Sequence, residues 1–507
     1  MFANAIASAI GKFSSRVAIS SFERSQTWQG FGERIAAVAG ALRSMGCKPG
    51  DRIAVLSQNI PEHVLFMYAV SWSGCVLVPL NTRLSASELE HILKDSGANV
   101  LVSDKHNFNM AQKVVKLFEK NLKTIRLENG AFGDQNITNL YLADPIEPWP
   151  AQMTDLAAIY YTGGTTGIPK GVMISDGAIL VQSLNLVSDL GINSSTTFLH
   201  GPPIFHLAGA GVAHACSLAG ATQYFVPEFT NETFIKTVAE KKITLISLVP
   251  TMLADMLDHK LVVDSFKSVE TIVYGAAPIS EILLRKIISS CPKVKLIQIY
   301  GQTECSGPCL ILPPENHVID GPLSGKLATA GRPNMTSQVR LVDKNGESVA
   351  SGVTGEIVIR GSSVMLGYWK QPALTKQTVR DGWLHTGDLG VMDKDGFVTV
   401  VDRLKDMIVS GGENVFSAEV EQVLSEHPDI KYCAVIGVTD DKWGERVHAV
   451  LGVNKGVSLD LDAVRAFCKT RIASFKCPRS IDCTSDPLPL SAVGKVQKNS
   501  LRKKYSS

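Results

Sequence analysis

Long apolar runs are missing from this chain: no stretch of about 18 consecutive apolar residues occurs, so no membrane-spanning helix is expected. Paired cysteines are missing as well. The 10 cysteines form no Cys-x-x-Cys and no Cys/His cluster at zinc spacing, and the Cys305/Cys309 pair lacks a companion, which argues against a zinc site or a disulfide framework. A reduced, cytoplasmic compartment fits that usage. Charge of one sign is also absent, since 50 Lys and Arg stand against 48 Asp and Glu for a formal charge of +2. The charges are interspersed, so nothing suggests a nucleic-acid partner. No basic residue precedes the apolar stretch at 1–10, which reads as a first amphipathic helix rather than a secretion signal. Low-complexity linkers and internal repeats are not found, and the basic run Lys495, Lys498, Arg502, Lys503 and Lys504 reads as a solvated terminus.

What is present is size: 507 residues, 45% of them apolar, exceed what one hydrophobic core organises, so at least two domains are expected. Short apolar runs at 52–55, 75–79 and 100–102 alternate with helical stretches such as 61–71, the pattern of a layered α/β domain with a mainly parallel sheet. It resumes with a helix over 176–190 and strands at 244–248, 271–274 and 295–300. Between 331 and 401 short strands separated by Gly and Asp-Gly turns predict a β-rich module. After Asp402 comes a compact α+β pattern, with helices at 418–425 and 461–471 and strands at 433–438 and 447–453.

Residues 160–171 read Tyr-Tyr-Thr-Gly-Gly-Thr-Thr-Gly-Ile-Pro-Lys-Gly. Hydroxyls, approachable glycine amides and Lys170 are what a loop needs to hold nucleotide phosphates. Pro169 before the lysine and Gly171 after it depart from the P-loop, which disfavours a kinase or GTPase. Four further stretches follow in order: Tyr274-Gly275-Ala276-Ala277-Pro278, Tyr300-Gly301-Gln302-Thr303-Glu304, Trp383-Leu384-His385-Thr386-Gly387-Asp388 and Asp402-Arg403-Leu404-Lys405-Asp406. Gly494-Lys495-Val496 closes the series. Together they resemble the adenylate-forming superfamily of acyl-CoA synthetases, luciferases and peptide-synthetase adenylation domains, in its acyl- or aryl-CoA ligase branch.

The resemblance implies a large N-terminal ATP- and acyl-binding domain (1–402), built of layered α/β subdomains plus the β-rich module. It also implies a small mobile α+β C-terminal lid (403–507). ATP, Mg²⁺ and coenzyme A are the implied cofactor and co-substrates, a small carboxylic acid the substrate, and a homodimer is possible. A carboxylate attacks the α-phosphorus of ATP, expels pyrophosphate and leaves an acyl-adenylate, a transfer that rests on positioning and charge stabilisation. By the resemblance Thr162, Gly163, Gly164, Thr165, Thr166, Gly167 and Lys170 hold the phosphates. Gly163 stands where relatives usually carry serine. Glu304 holds Mg²⁺, Thr303 donates to the α-phosphate, and Tyr300 with Gly275, Ala276, Ala277 and Pro278 encloses the adenine. Asp388 takes the ribose hydroxyls, with Arg403 on the ribose or phosphate side. Lys495 is the catalytic cation, and Lys405 is the hinge on which the lid turns.

Coenzyme A is expected along Gly411 and Gly412, where missing side chains let a narrow arm pass, and at Trp443, Lys476 and Arg479. His206 gates an acyl pocket that includes Ser247, Tyr274, Ile299, Gly301 and Gly307. The pocket is expected to be apolar and short, suiting a small aromatic, cyclic or medium-chain acid. An amide ligase or carrier-protein ligase using the same first step remains the alternative, and a silent nucleotide-binding homologue is the bland one.

Overall fold

The computed structural model describes all residues except 23, 119–121, 129–132, 163–168, 227–228, 258–264, 278, 490–495 and 506–507. The chain is mixed α/β and divides into two compact units. The first comprises Met1–Leu327, Gly331–Gln338 and Ile359–Leu384; the second comprises Ala328–Ala330, Val339–Val358 and His385–Ser507. All 10 cysteines are free thiols. Among the described residues no helix is long and apolar enough to cross a membrane.

Two large sheets organise the first unit. In the nine-stranded sheet, Thr197–Leu199, Leu245–Leu248, Thr271–Gly275 and Lys295–Gln302 lie side by side and parallel. Gly307–Leu312 then folds back antiparallel against Lys295–Gln302. Successive residues of a strand face opposite sides, and the core divides accordingly. Phe198, Leu245, Val273 and Ile297 pack on helices Asp176–Asp189 and Leu207–Leu218 through Leu186, Val212 and Ala215. Leu199, Ile246, Ile272 and Tyr274 pack on the other side with Phe234, Leu253 and Leu284.

The eight-stranded sheet carries the parallel strands Val76–Pro79, Arg52–Leu56 and Val100–Ser103 at its centre. Toward one edge run Leu156–Thr162, Lys170–Ser175 and Gly367–Tyr368, the latter two joined antiparallel. Helix Asp176–Asp189 starts where Ser175 accepts the Ala178 N–H at 3.1 Å, a side-chain cap on the first turn. The Asp-Gly turn at 381–382 closes a two-residue hairpin with Asp381 at φ 50° and Gly382 at φ 78°, the geometry such loops require.

The expected strands at 271–274 and 295–300 run on to Gly275 and Gln302. Glycine permits the extension. A Cβ at Gly275 would come 2.2 Å from the Ile299 carbonyl oxygen, and one at Gly301 would come 1.9 Å from that of Gly307.

In the second unit, the strand pairs Ile408–Ser410/Glu413–Val415 and Tyr432–Asp440/Gly444–Gly452 form a sheet completed by Ser480–Thr484. Helices Ser417–Leu424 and Leu461–Lys469 cover it, burying Val420, Leu424 and Val464 on Val435, Val447 and Leu451.

Candidate functional site

In the first unit, Thr162 and Lys170 are directly opposed partners at the open end of the antiparallel pair 156–162/170–175. Opposed partners send their side chains to the same face, so the base of the glycine-threonine loop presents a hydroxyl and an ammonium together. Gly163, Gly164, Thr165, Thr166 and Gly167 lie outside the described residues, as do Pro278 and Lys495.

Lys170 Nζ lies 4.8 Å from the ring centroid of Tyr368. Strand Gly367–Tyr368 delivers that ring by pairing with Met173 and Val172. The Tyr368 hydroxyl donates to Glu304 Oε1 at 2.8 Å, and the Glu304 carbonyl accepts the Met365 N–H at 2.8 Å. Burial first, then the Glu304 charge and hydrogen bond, push the phenol above its ordinary range, so it stays a donor. Lys170 and Glu304 are thus brought together by a residue that the motif reading missed. Its signal was the Gly367-Tyr368-Trp369 run, an aromatic pair beside a glycine.

Thr303 and Glu304 stand on a single 3-10 turn, Thr303–Cys305, at the end of the 295–302 strand. The turn ends on Ser306 in the left-handed region at φ 58°, where its hydroxyl donates to the Ser363 carbonyl at 2.6 Å. Ala276, after Gly275, is left-handed as well, at φ 66°. Both signatures therefore leave neighbouring parallel strands at their carboxyl ends through a left-handed residue.

Strand alternation sorts the acyl residues. Ser247 pairs with Val273 and Ile299 with Gly275, so Ser247, Gly275 and Ile299 share the face that carries helices 176–189 and 207–218. Tyr274 is one residue out of step. Its side chain is fully buried on the opposite face among Leu248, Ile272 and Leu284. Its hydroxyl lies 2.8 Å from His317 Nε2 and 3.2 Å from Gln298 Oε1. The expectation that Tyr274 walls the acyl pocket is therefore corrected: it is a core residue, and Gly275 occupies the position on the other face. His317 Nδ1 lies 3.0 Å from the Pro313 carbonyl, which assigns the proton to Nδ1 and leaves Nε2 to accept from Tyr274. Burial lowers this imidazole to about 4, so it is neutral near pH 7.

Tyr274→Phe should therefore destabilise the fold by about 1–3 kcal/mol, the penalty of leaving a buried acceptor unmade, without altering acid preference. Chemical denaturation together with an acid panel checks both halves of that expectation.

His206 stands at the N-cap of helix Leu207–Leu218 with its carbonyl accepting the Ala210 N–H at 2.9 Å. The turn before it is clamped by Asn59, which donates to the Pro202 carbonyl at 2.9 Å and accepts the Ile204 N–H at 2.8 Å. At the strand edge, a Cβ on Gly307 would meet the Gln182 side chain at 3.2 Å. Gln182 comes from helix 176–189 and donates to the Pro308 carbonyl.

In the second unit, Asp388 and Arg403 are cross-strand partners with Arg403 Nε 3.3 Å from Asp388 Oδ1. Glu356 shapes the approach to Asp388. One oxygen is 2.7 Å from His385 Nδ1 and the other accepts the Gly387 N–H at 3.0 Å, a clamp the motif reading also missed. After Arg403 the chain makes a tight turn. The Arg403 carbonyl accepts the N–H groups of Asp406 and Met407 at 2.9 and 3.0 Å, and Leu404 N–H reaches the Gly387 carbonyl at 2.8 Å. Burial, then the neighbouring Arg403 charge, lowers the Lys405 ammonium. Asp402 is buried. It accepts the Arg403 N–H at 2.7 Å, the Ser417 hydroxyl at 2.9 Å and the Ser417 N–H.

Gly411 and Gly412, at φ 63° and 85°, form the two-residue turn between strands 408–410 and 413–415. Gly411 N–H donates to the Trp443 carbonyl at 2.8 Å, and the Arg479 guanidinium lies 3.7 Å from the Trp443 ring centroid. Gly411, Gly412, Trp443 and Arg479 are thus brought together. Lys476 instead pairs with Glu419 at 2.7 Å.

The profile of the AMP-binding enzyme family matches residues 6–369, and that of the AMP-binding enzyme C-terminal domain matches residues 419–495. The chain belongs to the AMP-binding enzyme family, in the adenylate-forming acyl/aryl-CoA ligase branch. A feruloyl-CoA synthase of Amycolatopsis sp is 36% identical over 482 residues, covering 94% of each chain. The o-succinylbenzoate CoA synthetase MenE of Bacillus subtilis, solved with the acyl-adenylate OSB-AMP, superposes with a TM-score of 0.86 at 29% identity over 98% of each chain. The same enzyme has been solved with ATP and a magnesium ion. The amide bond synthetase McbA of Marinactinospora thermotolerans superposes with a TM-score of 0.89 at 26% identity over 99% of each chain.

Proposed function

We propose that this protein is an AMP-forming carboxylate:coenzyme A ligase acting on a small aromatic acid. The observation that carries the reading is the joining of Lys170 to Glu304 through Tyr368, at the base of a loop rich in glycine and threonine. An ammonium, a hydroxyl and a carboxylate beside a glycine- and threonine-rich sequence suit a triphosphate with its cation. Glu304 fits Mg²⁺, because the ion takes few protein carboxylates and shares its remaining positions with water and substrate phosphates. When bound, Mg²⁺ neutralises charge on the departing pyrophosphate.

The chemistry runs in two halves. The substrate carboxylate attacks the α-phosphorus, the bond to the β-phosphate oxygen breaks, and pyrophosphate leaves. The coenzyme A thiol then attacks the acyl carbon of the adenylate, and AMP departs with the bonding electrons. In this reading Thr162, Thr165, Thr166 and Lys170 hold phosphates, and Thr303 and Lys495 stabilise charge at the α-phosphate. Asp388 binds the ribose, with Arg403 beside it. Gly411, Gly412, Trp443 and Arg479 guide the pantetheine arm. The division at 402 into a catalytic domain and a lid, a homodimer and a cytoplasmic location belong to the same proposal.

An aromatic acid is favoured by the feruloyl and succinylbenzoyl substrates named for the relatives. It is also favoured by the small hydroxyl side chain of Ser247 and the absence of a side chain at Gly275 on the helix-covered face. McbA supports a second reading, an amide ligase that shares the first half-reaction. Pyrophosphate release across aromatic, cyclic and straight-chain acids, with ATP and Mg²⁺, separates the two. Multiple turnovers that require coenzyme A and yield AMP and a thioester are expected. Turnover sustained by an amine, with coenzyme A inert, would move the assignment to the amide ligase.

A further inference from the structure

We propose that Tyr368 is a positioning residue with two separable tasks: its hydroxyl orients the Glu304 carboxylate toward the divalent cation, and its ring holds the Lys170 ammonium beside the phosphates. The inference rests on the ligase reading and deepens it. Among the described residues, Tyr368 is the one hydrogen-bond partner of the Glu304 carboxylate. A phenol that donates one proton to Oε1 fixes the rotation of the carboxylate and leaves Oε2 directed away from that contact. Charge-assisted bonds of this kind are the stronger ones, and the groups that orient a metal-binding carboxylate tune its affinity for the metal.

The ring has a separate geometry. Lys170 sits above its face, 4.8 Å from the centroid, where the negative quadrupole attracts a cation. Both contacts need a ring that does not move, and the surroundings provide it. Tyr368 is 4% exposed, and its backbone N–H donates to Thr375 Oγ1 at 2.8 Å. Thr375 Oγ1 in turn donates to the Gln371 carbonyl at 2.9 Å. Gly367, at φ 139°, sits against Thr375, where a Cβ would come 2.7 Å from Cγ2. The pairing of Tyr368 with Val172 locks the ring to the strand that begins at Lys170.

The two tasks are separated by Tyr368→Phe, which keeps the ring, and Tyr368→Leu, which removes both. Mn²⁺ in place of Mg²⁺ is titrated by electron paramagnetic resonance into full-length enzyme holding a non-hydrolysable ATP analogue. Pyrophosphate release is then measured against Mg²⁺ and against ATP. Tyr368→Phe should weaken Mn²⁺ binding roughly 10–100-fold, with the lost pyrophosphate release recovered by raising Mg²⁺. Tyr368→Leu should in addition raise the KM for ATP at saturating Mg²⁺. In a Glu304→Gln background, Tyr368→Phe should produce no further change in Mn²⁺ affinity.

Unchanged Mn²⁺ affinity in Tyr368→Phe would overturn the proposal, as would an undiminished effect in the Glu304→Gln background. Thioester formation from pre-made acyl-adenylate serves as control, since it involves no pyrophosphate. Equal loss there would reveal a general structural defect and likewise overturn the assignment. The Mn²⁺ titration needs no turnover, so an enzyme inert toward every acid would sink the ligase reading while still testing Tyr368.

Discussion

Replacing Lys495 by alanine should lower adenylate formation by roughly 10²–10³-fold, the effect of losing one charge-stabilising donor at a reacting centre, while thioester formation from synthetic acyl-adenylate persists. Lys495 itself lies outside the described residues, but its flanks are anchored. Gln497 N–H donates to the Pro489 carbonyl at 2.7 Å, closing the base of the 490–495 segment. Lys498 pairs with Glu421 at 2.7 Å and donates to the Ser417 hydroxyl at 2.7 Å. Pyrophosphate release and thioester formation, assayed separately, decide the matter. Equal loss in both halves would remove Lys495 from the α-phosphate.

Lys405→Pro should give the complementary phenotype. Proline fixes φ and pushes the preceding residue out of the helical region, so the 403–407 turn would be confined to a narrow range of backbone angles. Adenylate and pyrophosphate should still form in a first turnover, with coenzyme A-dependent turnover about 10²-fold slower, the scale on which misplacement by an ångström acts. Because the Lys405 ammonium is already lowered by burial and by Arg403, charge loss must be distinguished from backbone restriction. Lys405→Ala does this, and a defect in alanine equal to that in proline would argue against a hinge.

Much of this molecule was legible in its residues, for reasons that also explain the misses. The parallel strands 271–275 and 295–302 announce themselves as apolar runs ending in glycine, and the motifs follow them directly. Tyr274 shows the limit. Sequence proximity to the signature suggested the pocket, but the two-residue period of a strand sends neighbours to opposite faces, and only the register with Gln298 and Ile299 reveals which face is which. Tyr368 and Glu356 lie 64 and 29 residues from the groups they bond, Glu304 and His385. No local pattern encodes contacts of that range.

Asp402 and Ser417 stand on opposite sides of Lys405 in the chain, yet their hydrogen bonds join them directly. A rotation about Lys405 cannot leave those bonds in place. In the proposed reading, with Lys405 as the hinge, these bonds form a latch across the pivot, and releasing it adds an energetic toll to the change of arrangement. One buried carboxylate, its oxygens engaged by the Arg403 and Ser417 N–H groups and the Ser417 hydroxyl, would then help to set how long the enzyme dwells in each working posture.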